Sequence, residues 1–155
     1  MIIERIYKED KNLVEQCDRL LVEFLDEEGK YDANYLKRDK LNSFSNDLVE
    51  ENNILLVVRE NEKVYGFLFG HTNKNKSFKE KVANLSYIYI DKLHRNQKYA
   101  TKLIQYYIDI LKEKNINIID VKCFENNSIA MKLYKKIGFN PLWINLRKEI
   151  KYNND

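Results

Sequence analysis

Glu125-Asn126-Asn127-Ser128-Ile129-Ala130-Met131-Lys132-Leu133-Tyr134-Lys135-Lys136-Ile137-Gly138-Phe139 is the stretch whose reading decides the fold. At about 100° per residue, Asn127 and Tyr134 lie two turns apart and nearly superpose in projection. Ala130 and Ile137 fall beside them, and Ile129 and Leu133 are expected to extend the apolar side toward a core. Asn126 or Asn127 suits the N-cap, and Gly138 suits the left-handed residue after the last turn. An amide, a small residue and a phenol therefore share one side of a helix. A phenol held there can give a proton to a leaving group. The plainer reading of the same residues is an amphipathic helix with a core tyrosine and a capping asparagine.

Working outward, Leu85, Tyr87, Ile88, Tyr89 and Ile90 read as a buried strand. Leu103, Ile104, Tyr107, Ile108 and Leu111 repeat at helical spacing. Between them runs the polar, basic loop Asp91 to Ala100. A strand thus passes through a basic loop into a helix start, whose unpaired N–H groups and positive dipole end form a ready phosphate site. Many loops of this kind are simply solvated.

Together the two segments resemble the GNAT superfamily of acyl-CoA-dependent N-acetyltransferases. The family's pyrophosphate loop, Arg/Gln-x-x-Gly-x-Gly/Ala, falls on Arg95, Asn96, Gln97, Lys98, Tyr99 and Ala100. Its later motif, Asn-x-x-Ala-x-x-x-Tyr followed by Gly-Phe, falls on Asn127, Ala130, Tyr134, Gly138 and Phe139 without a gap. The resemblance runs from about Asn53 to about Glu149. It implies an α/β fold (α+β in some schemes): a mixed, mainly antiparallel central sheet, splayed between two parallel strands and flanked by helices. The two strands would be Leu85–Ile90 and Ile118–Phe124.

By the same resemblance, acetyl-CoA is the cosubstrate and no metal is expected. Coenzyme contacts are implied at Ile88, Tyr89, Ile90, Arg95, Asn96, Gln97, Lys98, Tyr99, Ala100, Thr101, Asn127 and Tyr134. The pantetheine arm would pair with the strand backbone at Ile88 and Ile90, as a peptide adds to a sheet edge. Asn127 would meet the pantetheine region or serve mainly as a helix cap. The loop departs from the pattern at Lys98, where the family has glycine. Either the amides still cradle the diphosphate with the Lys98 ammonium assisting, or the loop is distorted and coenzyme binding weakened.

The reaction implied is transfer of an acetyl group to a primary amine by direct attack in a ternary complex, with Tyr134 as the catalytic acid. A free thiol has a pKa near 8.5 and a tyrosine near 10, so proton donation to the departing thiolate is a modest uphill step. Backbone N–H near Ile88 would polarise the thioester carbonyl. The amine must lose a proton, and the strand that carries a glutamate in many relatives holds none here. A water chain, or an acid among Glu23, Asp26, Glu27, Glu28 and Asp32, would have to serve.

Charge is divided along the chain. Positions 10–51 hold 12 acids against 6 basic residues; positions 74–151 hold 17 basic residues against 7 acids. This fits a basic coenzyme half facing an acidic acceptor half, and favours a cationic small-molecule or peptide amine as acceptor. Solvated helix faces would give the same counts. His71 and His94 read as surface or loop residues. Trp143, Tyr31, Tyr35, Phe44, Tyr87 and Tyr89 could line an acceptor pocket or simply fill a core.

With 155 residues, one domain over 1–155 is expected, large enough for a core. Apolar content of 44% with 33% charge is globular in character. No apolar run approaches a membrane span, and Met1 to Arg5 lacks a signal-peptide core, so a cytoplasmic protein with no membrane partner is expected. Cys17 and Cys123 form neither a disulfide framework nor a metal-ligand spacing. A net charge of +3 and no nucleic-acid module argue against a nucleic-acid partner. A homodimer is left open. A noncatalytic acyl-CoA-binding domain of the same fold stands as the alternative function.

The remaining elements are coarser. Ile2 to Tyr7 reads as a strand, and Leu13 to Leu25 as a helix ending near Gly29. A second helical stretch is expected from Tyr35 to about Glu51. Ile54–Arg59 and Val64–His71 flank a hairpin turn, and Asn73 to Lys81 is a polar loop. After Pro141, Leu142 to Ile150 is expected to form a final edge strand or hairpin.

Overall fold

A computed structural model describes residues 1–34, 43–73 and 79–153. Its frame is one five-stranded sheet in the order β1-β2-β3-β4-β5. The strands are β1 (Ile2–Ile6), β2 (Asn53–Glu60), β3 (Lys63–Asn73), β4 (Val82–Ile90) and β5 (Ile118–Val121). The helices are α1 (Lys11–Glu28), the single turn α2 (Phe44–Asp47), α3 (Tyr99–Glu113) and α4 (Ser128–Ile137). The first four strands are antiparallel neighbours, and β4 pairs with β5 in parallel. This is the mixed, mainly antiparallel sheet flanked by helices that the sequence resemblance implies.

Helices cover both faces, so β2 reads as a continuous apolar run, buried from Ile54 to Val58. On one face Leu13, Val14, Cys17, Leu21 and Leu25 of α1 pack with Phe44, Phe67, Phe69 and Tyr89. On the other, Leu103, Ile104, Tyr107 and Leu111 of α3 pack with Ile54, Leu56, Leu68, Ala83, Leu85 and Tyr134. Glycine is required where α3 crosses β3. A Cβ on Gly70 would lie 2.3 Å from the Tyr107 hydroxyl, which donates to the Asn84 carbonyl of β4 at 3.1 Å.

A bulge between Phe69 and Gly70 leaves Ser86 without a cross-strand partner, since Phe69 faces Tyr87 and Gly70 faces Leu85. The extra residue re-phases β4. Ala83 and Leu85 lie in the α3-side core before it, and Ile88 and Ile90 after it, while Tyr87 and Tyr89 pack on the α1 side.

Several expectations are corrected. The second helical stretch is only the turn Phe44–Asp47, and positions 35–42, with Tyr35, lie outside the described residues. β5 ends at Val121, not Phe124, because the chain beyond has left β4. Ile129 is 81% exposed, so the buried side of α4 is carried by Ala130, Leu133, Tyr134 and Ile137. The final edge strand or hairpin over Leu142 to Ile150 is absent. Residues 139–153 hold neither helix nor strand, since a strand needs a partner and none is beside them. Trp143, 80% exposed, fills no core.

Candidate active site

β4 is paired on both edges only at its start. Val82, Ala83, Asn84 and Leu85 face Ile118, Ile119, Asp120 and Val121, and no β5 pairing continues beyond them. The orientation of the free portion follows from one hydrogen bond. The Asp91 amide donates to the Tyr65 carbonyl at 2.8 Å, so positions 91, 89 and 87 turn their backbone groups to β3. Positions 88 and 90 therefore turn theirs to the side β5 has vacated. Ile88 and Ile90 present strand backbone to the gap. Tyr89, also expected at the coenzyme, presents its backbone to β3 and its side chain to α1.

At the far end of β4 the chain turns into α3. Asn96 and Lys98 both adopt left-handed backbone, φ 62° and 64°. Lys98 is the N-cap of α3, with no side-chain capping bond and no acid in the first turn. The first intrahelical bond runs from the Lys102 amide to the Lys98 carbonyl. Among the described residues the amides of Tyr99, Ala100 and Thr101 thus remain unclaimed at the positive end of the helix dipole. Asn96, Gln97, Lys98 and Thr101 are exposed around them, while the Tyr99 and Ala100 side chains pack against the core. A left-handed lysine carries a Cβ penalty of roughly 1–2 kcal/mol that glycine avoids.

Arg95 is already engaged. Its Nε donates to the Ile90 carbonyl at 2.8 Å, and one terminal nitrogen meets both oxygens of Glu27 at 2.9 and 3.0 Å. Its guanidinium also lies 5.2 Å from the centre of the Tyr89 ring. The Tyr89 hydroxyl donates to Glu23 at 3.0 Å. Burial, with Glu23 accepting that proton, pushes the Tyr89 phenol up. These bonds tie the loop and β4 to the last turns of α1.

Across the gap stands α4. The Asn127 side chain accepts from the Ala130 amide at 3.1 Å, which makes it the N-cap. Gly138, at φ 113°, closes the helix, and the Phe139 amide returns to the Tyr134 carbonyl at 2.9 Å. The Phe139 ring meets Tyr134 edge-on at 5.5 Å. Tyr134 is only 8% exposed. Burial raises its pKa, with Cys123 and then Glu28 adding to the rise. Cys123 is raised by burial and by Glu28, and Glu28 by burial and by Glu27. A phenol, a thiol and a half-buried carboxyl thus stand within electrostatic range of one another, all held toward their protonated forms.

Sequence reasoning left two groups aside. His71 is half-buried, and its Nδ1 is 3.0 Å from the hydroxyl of Ser86, the bulged residue at the fork. Burial lowers its pKa, and Asp47 opposes that shift. His94 instead tilts against Tyr65 at 4.0 Å. Tyr31 stacks on Phe124 at 5.9 Å, and Asp32, its pKa lowered chiefly by the bond from Arg147, holds that arginine at 2.8 Å. Nothing local in the sequence signals the pairing of His71 with Ser86, since it depends on a bulge. Among the described residues no group of three or more His, Cys, Asp or Glu is placed to hold a metal ion, and no helix is long and apolar enough to cross a membrane.

A model of the acetyltransferase (GNAT) family matches residues 14–139. The chain belongs to this family. Solved structures of the same fold include a Bacillus halodurans protein solved as a tetramutant, with TM-score 0.83 and 19% identity, covering 97% of this chain and 100% of that one. An aminoglycoside acetyltransferase from an uncultured soil metagenomic sample aligns with TM-score 0.78 and 17% identity, over 97% and 96% of the two chains. A ribosomal-protein-alanine N-acetyltransferase from Brucella melitensis biovar Abortus 2308 gives 0.70 and 16%, over 97% and 100%. No curated protein sequence matches. As a GNAT protein, the chain is an acetyltransferase by family, and the likeness to these structures is one of fold.

The backbone tests whether this site fits acetyl-CoA. An arm bearing amides and ending in a diphosphate needs free strand groups and, next to them, free helix-start amides. Both are present along one side of the gap: the backbone of Ile88 and the amide of Ile90, whose carbonyl is taken by Arg95, and the amides at positions 99–101.

Proposed function

We propose that this GNAT protein transfers an acetyl group from acetyl-CoA to a primary amine by direct attack in a ternary complex. The observation that carries the reading is the unpaired edge of β4 running from the fork to the unclaimed amides of α3. The amides of Tyr99, Ala100 and Thr101, with the Lys98 ammonium, would hold the diphosphate. Ile88 and Ile90 would align the pantetheine, which brings the thioester to the fork near Ser86. Asn127 would act there through the helix it caps. The coenzyme supplies an activated acyl group; the chain's residues supply position and protons.

Tyr134 stays a neutral phenol at neutral pH, because burial disfavours the phenolate. Its hydroxyl would donate a hydrogen bond to charge developing on sulfur. The raised pKa makes complete transfer harder than for an ordinary tyrosine, so stabilising the leaving thiolate is the larger part of its role. Glu28 would receive the amine proton. Its raised pKa makes it a better base than an exposed carboxylate, while Glu23 and Glu27 are occupied by Tyr89 and Arg95. The acidic end of α1 favours a cationic acceptor, small molecule or peptide.

Two observations favour a second reading, a noncatalytic acyl-CoA-binding domain: Lys98 takes glycine's backbone conformation, and Arg95 is bound to Glu27. Free-thiol release from acetyl-CoA across a panel of cationic and neutral amines, run beside calorimetric coenzyme titration, decides between them. Transferase action requires amine-dependent thiol release, strongest with cations. Coenzyme binding without release under any amine would leave the second reading standing, and absence of coenzyme binding would defeat both.

A further inference from the structure

The proton chemistry of the gap leaves one polar pair unused. Ser86 is the first residue of β4 past its last pairing with β5, and the bulge gives it no partner on β3 either. Its hydroxyl is 3.0 Å from Nδ1 of His71 on β3. Both residues are only partly covered. Burial lowers the His71 pKa, which keeps the ring neutral near pH 7. In the tautomer with its hydrogen on Nε2, Nδ1 is free to accept the Ser86 proton. Asp47 on α2 acts in the other direction and favours the charged ring, so an imidazolium formed there meets the field of a carboxylate.

A hydroxyl, a base within hydrogen-bond reach and an acid that supports the base are the parts of an activated serine nucleophile. The other nucleophiles near the gap compete poorly. The thiolate is the attacking form of a cysteine, and burial with Glu28 holds the Cys123 thiol protonated. Burial does the same to the Tyr134 phenol.

We propose that this chain has a second activity, hydrolysis of acyl-CoA thioesters through an ester on Ser86, expressed when no amine fills the acceptor side. It rests on the coenzyme reading above, which brings the thioester to the fork. Ser86 Oγ attacks the carbonyl carbon while His71 takes the hydroxyl proton. The carbon–sulfur bond breaks, its electron pair goes to sulfur, and the departing thiolate takes the proton from His71. His71 next removes a proton from water as the water oxygen attacks the ester carbonyl. The carbon–Oγ bond breaks, and Ser86 regains a proton from His71. Thioester and water become thiol and carboxylic acid, with no redox step. A bound amine bypasses the ester by attacking the thioester directly.

The full chain, incubated with acetyl-CoA and no amine, quenched in acid and digested, tests this by mass spectrometry, with free thiol followed in parallel. One acetyl group on the Ser86 peptide and steady thiol release are expected. Ser86→Ala should abolish both. Ser86→Cys should restore the adduct as a thioester, which a merely structural hydroxyl would not allow. His71→Asn should slow acetylation of Ser86 by about 10²-fold or more. p-Nitrophenyl acetate, which needs no coenzyme site, should acetylate the same serine with a burst of nitrophenolate. Calorimetric coenzyme binding with no acetylation of Ser86 by either reagent overturns the proposal alone. So does thiol release that survives Ser86→Ala. Absence of coenzyme binding, with Ser86 still acetylated by the nitrophenyl ester, overturns the thioester activity together with the coenzyme reading.

Discussion

The two halves of β4 are built from similar residues and behave differently. Val82–Leu85 is bonded on both edges, to β3 and to β5. The stretch after the bulge is bonded to β3 alone, and its other edge faces a gap. Ala83 and Leu85 are 0% and 3% exposed, while Ile88 is only partly covered. One strand is scaffold at its beginning and open edge at its end. Where β5 leaves, the backbone groups that would have held the sheet together become available to a ligand.

Four measurements would break or sharpen that contrast. The largest effect is expected across the gap from the free half. Tyr134→Phe should lower turnover by about 10²-fold or more in an assay limited by chemistry, with coenzyme affinity nearly unchanged. Equal turnover would remove the phenol from the reaction. In the fully paired half, Leu85→Ala should cost about 2–5 kcal/mol in urea unfolding and leave coenzyme affinity alone. A large rise in the coenzyme dissociation constant without loss of stability would erase the distinction between the halves.

Lys98→Gly follows. Relief of the left-handed Cβ and the added freedom of the unfolded glycine oppose each other, so stability should move by about 1 kcal/mol or less. Coenzyme affinity should fall several-fold, and its dependence on salt should flatten as one cation is lost. Tighter binding would mean that the lysine distorts the loop. The smallest effect belongs to His71, at the junction of the halves. Its folded pKa lies below its unfolded value near 6.5, so its contribution to stability is present above that value. It is lost as pH falls through the folded value. For a half-exposed imidazole this loss should stay well under about 1 kcal/mol. A pH series of chemical denaturation should show it, and His71→Asn should flatten that arm.

Much of this architecture was legible because it is local. The spacing from Asn127 to Phe139 specifies a capped helix with one buried side, and the basic turn before Leu103 specifies a helix start. Other features depend on contacts distant in sequence. In the run from Leu85 to Ile90 the bulge at Ser86 shifts the alternation by one, a register event no period-2 count reveals. Glu27 and Glu28 are neighbours in sequence, but about 100° of helix separates them. One therefore binds Arg95 while the other stands near Cys123 and Tyr134. The tail shows the opposite case: Leu142 to Ile150 reads as a strand, and the fold gives it no strand to pair with among the described residues.

The contact between Tyr107 and Gly70 reaches further than the core. The phenol occupies the space where any other side chain on β3 would begin, and its hydroxyl is moored two residues before Ser86. Adding a single methyl there would shove the ring off Asn84 and drag on the strand just where it starts to diverge from β5. A change made on the middle of the sheet would therefore reach the fork through Asn84 as well as loosening the core around Tyr107.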